Sequence, residues 1–307
     1  MQDKFINSAM NYTGSKYRLL PQIFPLFPDK FIKFVDLFAG GAVVSANVSL
    51  FYQNFVEQVV ANDLNKKVID FYQFLSSIDN DELMGKLEKI IEQYEFSDTA
   101  KNGYGFYGLN SSDGVGSFNK EKYVQLRSDY NAGKFQGDDE QIAFYLLVIF
   151  GFNNQIRFNS KGEFNLPVGK RDFNLAMRKK LREFQFVLKQ ADYKFFSKDF
   201  RDIEEFDKET FIYCDPPYRI TLASYNENGV WGLQDDLDLF AYLDKVDKVG
   251  AKFALSNVVL HKNQENLELI KWSTKYHFHI LDYDYNNSNY QSKAKKSSTI
   301  EVLITNY

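Results

Sequence analysis

Three observations predict an α/β fold built on a doubly wound, mostly parallel sheet. Short apolar, β-prone runs alternate with helical segments near both ends of the 307-residue chain. A glycine pair follows the first run, where such sheets bind ligands. A middle stretch, about 75–185, breaks the alternation and reads as an insert carrying a second function. The catalytic sheet would then comprise 1–74 and 186–307, with 75–185 inserted between them.

FIKFVDLF (31–38) is the first strand, and it ends at AGGA (39–42). VVSANVSLFYQ reads as a helix, QVVANDL (58–64) as a second strand, and NKKVIDFYQFLSSI as another helix. The insert opens with a helical segment at 80–96. KNGYGFYGLNSSDGVGSFN (101–119) reads as a long surface loop, and 139–152 as an apolar helix. RFNSKGEFNLPVGKR (157–171) alternates β-prone pieces with turn residues, a hairpin pattern. Alternation returns with YKFFSKDF (193–200), TFIYCD (210–215), a helix at 234–247 and KFALSN (252–257). WSTKYHFHILDY (272–283) and STIEVLITNY (298–307) form a closing pair of strands. No internal repeat or coiled coil is visible.

Composition narrows the chemistry. The chain is 44% apolar and 25% charged, the balance of an ordinary globular protein. Its single cysteine, Cys214, excludes a disulfide framework and a multi-cysteine zinc site. Three histidines, His261, His277 and His279, leave little for a metal centre or a histidine-based triad. No run approaches ~18 apolar residues, so no membrane span is expected. The N-terminus lacks a signal peptide's apolar stretch, and reducing cytoplasm is the expected compartment. The net charge of −4, taken as one number, argues against nucleic acid. Aromatic residues are abundant, with 30 Phe, 20 Tyr and 2 Trp, and need an explanation beyond the core.

Two motifs carry chemistry. In FVDLFAGGA (34–42) a strand ends in Asp36 and glycines, so a ligand can approach the backbone closely. Asp63 ends the next strand and is placed for ribose hydroxyls. A glycine pair alone would be a tight turn; the spacing to Asp63 is what points to a ligand. The loop lacks the GxGxxG pattern of nicotinamide and flavin sites. In IYCDPPYRI (212–220) a strand runs directly into Asp215-Pro216-Pro217-Tyr218. The prolines fix φ and remove donors. Carbonyls, the Asp215 carboxylate and an aromatic face are therefore presented rigidly, an arrangement suited to an in-plane amine.

With both motifs in order, the chain resembles the Dam-like, D12 class of S-adenosylmethionine-dependent DNA adenine-N6 methyltransferases. NYTGSKYRLLPQI (11–23), FVDLFAGGA (34–42), AND (61–63), RFNSKGEFNLPVGK (157–170), KDF (198–200), CDPPY (214–218) and FALSN (253–257) carry the likeness along essentially the whole chain. Relatives often have a further glycine at position 42. Ala42 fits there unless the backbone requires positive φ.

The resemblance implies a Rossmann-like class I methyltransferase fold. It has a mixed, mostly parallel seven-stranded sheet and a mainly helical target-recognition insert carrying a β-hairpin. It implies S-adenosylmethionine as cofactor, S-adenosylhomocysteine as product, and no metal. Tyr12 and Lys16 would contact the methionine end of the cofactor, with Phe38 and the backbone around Gly40 lining that pocket and Asp36 near its amino group. Asp63 would take the ribose, and Asp199 and Phe200 the cofactor's adenine. Asp215, Pro216, Pro217 and Tyr218 would hold a target adenine flipped from duplex DNA. Asp215 and the Pro216 carbonyl would accept hydrogen bonds from N6. Cys214 reads as a buried small residue, since no covalent enzyme intermediate is needed, and Trp231 as packing beside the site.

The insert would read DNA. Residues 157–182 hold eight basic residues against two acidic, a net +6. Residues 285–300 add +3 from Lys293, Lys295 and Lys296, leaving −13 on the remainder. A phosphate-binding face on an otherwise acidic protein fits this split, and the global charge misleads. By resemblance Arg157, Asn159 and Asn165 would touch the backbone or flank the target. Lys161, Lys170, Arg171, Lys179, Lys180, Lys293 and Lys295 would add DNA contacts. RKKLR (178–182) reads equally as a solvated helix face. The class implies a monomer, acting in restriction-modification or in a Dam-like role. A cognate restriction endonuclease would fit the first role, with no direct contact implied. Two alternatives remain: an RNA or protein methyltransferase on the same fold, and a non-catalytic DNA-binding relative. Amide-modifying relatives usually carry Asn before the two prolines, and the intact DPPY with Lys16 and Asp63 argues against the non-catalytic relative.

Overall fold

Strands β1 (Lys33–Asp36), β2 (Gln58–Asn62), β3 (Asp192–Phe196) and β4 (Thr210–Cys214) pair in parallel, with β1 at the centre between β2 and β4. The structure is a computed structural model, described here for residues 4–221, 231–282 and 299–307. Lys293, Lys295 and Lys296 lie outside the described residues. β5 (Lys252–His261) continues the parallel set beyond β4. β8 (Thr299–Thr305) inserts antiparallel between β5 and β7 (His277–Leu281), giving the path β3-β2-β1-β4-β5-β8-β7. A two-residue strand, β6 (Gln264–Glu265), hangs on the end of β5. The seven-strand path with one reversed strand is what the resemblance implies.

The central strands read as continuous apolar runs because both faces are covered. On one face Phe34, Val59, Phe211 and Tyr213 pack against α1 (Leu20–Ile23) and α2 (Val43–Phe51). On the other, Val35, Val60, Ile212 and Cys214 meet α9 (Leu233–Val249) and α10 (Leu267–Ser273). Cys214 is fully buried, and burial pushes its thiol well above the usual range. It packs as a small hydrophobe.

Between β2 and β3 lie α3 (Lys66–Ser77), α4 (Asn80–Gln93), α5 (Thr99–Asn102), α6 (Gly116–Asn131), α7 (Asp138–Phe150) and α8 (Leu175–Leu188). The insert is not packed separately. Phe71 and Tyr72 of α3 join Phe144, Tyr145 and Phe184 in one buried cluster. Phe71 stacks on Tyr145 with centroids 4.9 Å apart and planes 9° apart. Residue 185 falls inside α8, so the helix straddles the boundary drawn from sequence.

Two features differ from the sequence reading. First, α6 occupies 116–131, where no helix is expected. Its buried stripe mixes Asn119 and Asp129 with Tyr123 and Leu126, so apolar periodicity is weak. Its start is pinned by the Val115 N–H donating to the Lys170 carbonyl at 2.9 Å. The long surface loop is thereby shortened and tied down, with buried Asp172 accepting from Thr99 at 2.7 Å. Second, the expected hairpin at 157–171 forms no ladder. Its traces are isolated bridges, Phe158 with Phe164 and Gly151 with Val168. Two backbone bonds cross the reversal, from the Asn159 amide to the Glu163 carbonyl at 2.9 Å and from the Asn165 amide to the Arg157 carbonyl at 3.1 Å, and side chains add to them. Asn159 Oδ1 accepts from the Lys161 and Glu163 amides, while the Arg157 guanidinium grips Asn165 Oδ1 and its carbonyl, each at 2.8 Å.

Gly114 lies under the 169–171 segment with φ +73°, and a Cβ there would collide with the Lys170 carbonyl oxygen. Gly114→Ala should therefore destabilise the protein by ~2–4 kcal/mol in denaturant unfolding. Gly108→Ala, with similar φ (+65°) but open space around it, should cost only ~1 kcal/mol. Equal losses would show that packing against Lys170 contributes nothing.

Candidate active site

β1 and β4 are hydrogen-bonded neighbours, with Asp36 opposite Tyr213 in register. Both strands end at the same sheet edge, so Asp36 and Asp215 open into one cavity of about 420 Å³. Tyr12, Lys16, Phe38, Gly40, Asp63 and the DPPY residues also line it. The structure thus gathers most of the residues singled out from sequence.

The glycine loop is held from three sides. The Gly40 N–H donates to Asp63 Oδ2 at 2.8 Å, and the Tyr72 hydroxyl donates to the Gly40 carbonyl at 3.0 Å. The Tyr12 ring lies against the backbone, so a Cβ on Gly40 would sit 2.9 Å from its Cε1. Gly40 also has φ +48°, which favours glycine. Asp63 Oδ1 accepts the Asn65 amide at 2.8 Å, and burial holds this carboxyl above its usual range. Ala42, which precedes α2, adopts φ 50°. This is the left-handed conformation in which an alanine is strained and a glycine is not.

Asp36 is the most unusual acid here. It is 1% exposed; Oδ2 accepts from the Ser45 hydroxyl at 2.7 Å, while Oδ1 has no hydrogen-bond partner among the described residues. Burial pushes its carboxyl up to about 7. An orphaned carboxylate oxygen in a cavity wall is a receptor for a cationic donor.

Asp215 sits in a buried charge cluster. Lys16 Nζ lies 2.8 Å from Asp215 Oδ2 and 3.3 Å from Glu301 Oε1. The Tyr218 hydroxyl lies 2.7 Å from Asp215 Oδ1 and 2.9 Å from Glu301 Oε1. The Lys16 ammonium stands 5.0 Å from the Tyr218 ring centroid, a cation–π contact. Burial works against the Lys16 charge, but the two carboxylates outweigh it and hold its pKa above the usual value. Burial raises the Asp215 carboxyl, with Lys16 opposing. Lys16 therefore bonds to the DPPY carboxylate, a contact absent from the sequence reading, which places it only at the cofactor.

Other predicted residues fall elsewhere. Phe38, Phe200 and Trp231 form an aromatic trio with centroids 5.3–5.6 Å apart. Phe38 and Trp231 line the cavity; Phe200 is buried behind them. The Asp199 carboxylate is bonded to Arg201, at 3.0 Å from Nη1, and does not line the cavity. Trp231 is positioned by its Nε1 donating to buried Asp236 at 2.7 Å, which also accepts from Arg219.

The basic residues divide. Lys161, Lys170 and Lys179 are exposed, and Lys179 meets Glu183 at 3.6 Å. Arg171 donates to the Tyr104 hydroxyl and the Ser111 carbonyl, bracing the 104–111 turn. Lys180 is half-buried and donates to Asn11 Oδ1 at 2.7 Å, and burial lowers its pKa to about 8. Asn11 in turn donates to Asn154 Oδ1 at 2.9 Å, tying the segment before Tyr12 to the insert. Arg178 pairs with Glu88 and Asp98, so it serves the fold.

Sequence reasoning missed Glu301, Ser45 and Asp236. For Glu301 a signal existed: it is the charged member of a run buried from 301 to 305 in β8. Among the described residues no cluster of three or more His, Cys, Asp or Glu could hold a metal ion, and no helix is long and apolar enough to cross a membrane.

Comparison with known proteins agrees with this geometry. The family model for D12 class N6 adenine-specific DNA methyltransferase matches residues 12–289. The chain is 35% identical to the Type II methyltransferase M.FokI of Planomicrobium okeanokoites, over 99% of this chain and 43% of the relative. It is 33% identical to the modification methylase StsI of Streptococcus sanguinis, again over 99% and 43%. Against the DNA adenine methylase of Haemophilus influenzae it is 30% identical over 73% of this chain and 68% of that protein. The chain thus spans less than half the length of the first two relatives. Motif order, sheet path and these likenesses agree: the chain belongs to the D12 class of N6 adenine-specific DNA methyltransferases.

Proposed function

We propose that this chain transfers a methyl group from S-adenosylmethionine to N6 of an adenine flipped out of a short duplex recognition site. The observation that carries this reading is the shared cavity, with the orphaned Asp36 oxygen on one side and the Asp215 carboxylate on the other. The donor set fits the cofactor. Asp36 Oδ1 would receive its ammonium group, Asp63 its ribose, and the Tyr12 ring and Gly40 backbone would bound its methionine end. Asp199 and Phe200 would reach its adenine only if Phe38 and Trp231 shift aside. When bound, the cofactor supplies an electrophilic methyl group on a sulfonium.

The remaining work falls to DPPY. An exocyclic adenine amine is a poor nucleophile because its lone pair is conjugated with the ring. Asp215 and the Pro216 carbonyl would accept both amine hydrogens and favour a more pyramidal nitrogen. They would also fix its orientation, so much of the rate comes from positioning and electrostatics. Tyr218 would replace part of the stacking given up on flipping. Lys16, which lies 2.8 Å from Asp215 Oδ2, would loosen its hold there as the amine arrives. Duplex binding would rest on Lys161, Lys170 and Lys179, with Lys293 and Lys295. Arg157, Asn159, Asn165, Arg171 and Lys180 would shape the surface they stand on and contact DNA from it. The names of the relatives support a restriction-modification setting, with this chain acting as a cytoplasmic monomer beside a cognate endonuclease it need not touch.

Asp215→Ala should abolish transfer of labelled methyl groups to duplex DNA, while melting behaviour and much of the duplex affinity persist. A variant keeping a tenth of wild-type turnover would refute the hydrogen-bonding role. Removing the charges of Lys161 and Lys179 should weaken binding to all duplexes alike and reduce the salt slope by ~1 for each phosphate no longer neutralised. A changed sequence preference would mean that they read bases.

Asp36 gives a pH test. Its folded pKa of about 7 lies above the unfolded value, so the native state binds the extra proton. The stability this contributes is complete below the unfolded pKa and is lost as pH rises through about 7. The difference in unfolding free energy between wild type and Asp36→Asn should therefore shift against wild type from pH 4 to pH 7.5. Saturating S-adenosylmethionine should offset that shift, since an ammonium ligand favours the ionised carboxylate. A difference independent of pH would reject the orphaned-carboxylate account.

A further inference from the structure

Glu301 stands on β8, opposite Val258 of β5 and Leu281 of β7. It is 3% exposed and does not line the cavity, so it has no surface to offer a substrate. Yet two donors that hold Asp215 also reach it. The Tyr218 hydroxyl is 2.7 Å from Asp215 and 2.9 Å from Glu301. The Lys16 ammonium is 2.8 Å from Asp215 and 3.3 Å from Glu301.

The geometry sets a conflict. A tyrosine hydroxyl has one hydrogen, so it can bond to only one carboxylate at a time. Asp215 keeps lone pairs free beside Lys16 and Tyr218, but two donors already on its oxygens weaken its acceptance of an incoming amine and compete for the same directions. Releasing them is costly if they lose their partners, because an unpaired ammonium in a buried site is strongly unfavourable. Lys16 would then retain only the Gly14 carbonyl, at 3.2 Å. A second carboxylate within reach of both donors removes that penalty.

We propose that Glu301 is the positioning residue that takes over the Lys16 ammonium and the Tyr218 hydroxyl from Asp215 when the target amine arrives. It would act as a second seat for the two donors, and its charge matters more than its shape. The proposal rests on the functional reading above, in which Asp215 receives N6. Without the charge of Glu301, Lys16 stays on Asp215 and competes with the base.

The test compares Glu301→Gln, which keeps the shape and removes the charge, with Glu301→Asp, which keeps the charge and shortens the side chain. Single-turnover methyl transfer is measured at saturating duplex and S-adenosylmethionine, with separate binding titrations for each. Glu301→Gln should lose at least tenfold in rate, with both affinities within about twofold of wild type. Glu301→Asp should be at least fivefold faster than Glu301→Gln. A role in packing alone predicts the reverse order, so an Asp variant equal to or slower than the Gln variant overturns the proposal. A Gln variant within twofold of the wild-type rate overturns it as well, as does a rate loss fully accounted for by weaker cofactor binding. If wild type itself methylates no adenine-containing duplex, the functional reading fails instead, and the wild-type control shows it.

Discussion

The parallel pairing of β1 with β4 is the constraint on which the rest of the site depends. Each strand leaves the sheet at the same edge, one into a glycine loop and the other into a pair of prolines. The two loops have opposite properties. The glycines let a ligand approach the main chain, while the prolines prevent the main chain from rearranging. The glycine loop and the rigid proline turn thereby share a wall, and register brings Asp36 and Asp215 within one cavity.

Placing acids at the buried end of a sheet has an electrostatic cost, which the protein meets in two ways. Asp36 is left with one unsatisfied oxygen, so its charge is disfavoured until a cation arrives. Asp215 is instead compensated internally by Lys16 and Tyr218, with Glu301 behind them. One acid is therefore left undercompensated, and the other is neutralised by partners from both ends of the chain.

Much of this was legible in the sequence because parallel strands, buried on both faces, appear as plain apolar runs. The chemistry sits where those runs stop: Asp36 before glycines, Asp63 before the helix start, Asp215 before prolines. The remainder depends on contacts between distant segments. Glu301 has meaning only once β8 brings it to Lys16, from the other end of the chain. Lys180 looks like any member of a basic run until Asn11 is found beside it. Helix α6 buries Asn119 and Asp129, so its inward face does not look apolar. The hairpin was legible as a reversal of direction, which closes on a single bridge flanked by two backbone bonds, and the side chains of Arg157 and Asn159 reinforce it.

The stacking of Phe71 on Tyr145 carries a further consequence. It joins the helix after β2 to the insert through one continuous buried cluster. An insert fused in this way cannot be exchanged among related chains as a unit, because each graft would cut through a close-packed interior. Change is then open to this architecture mainly through its outer turns, such as the one that carries exposed Lys161, without disturbing the sheet.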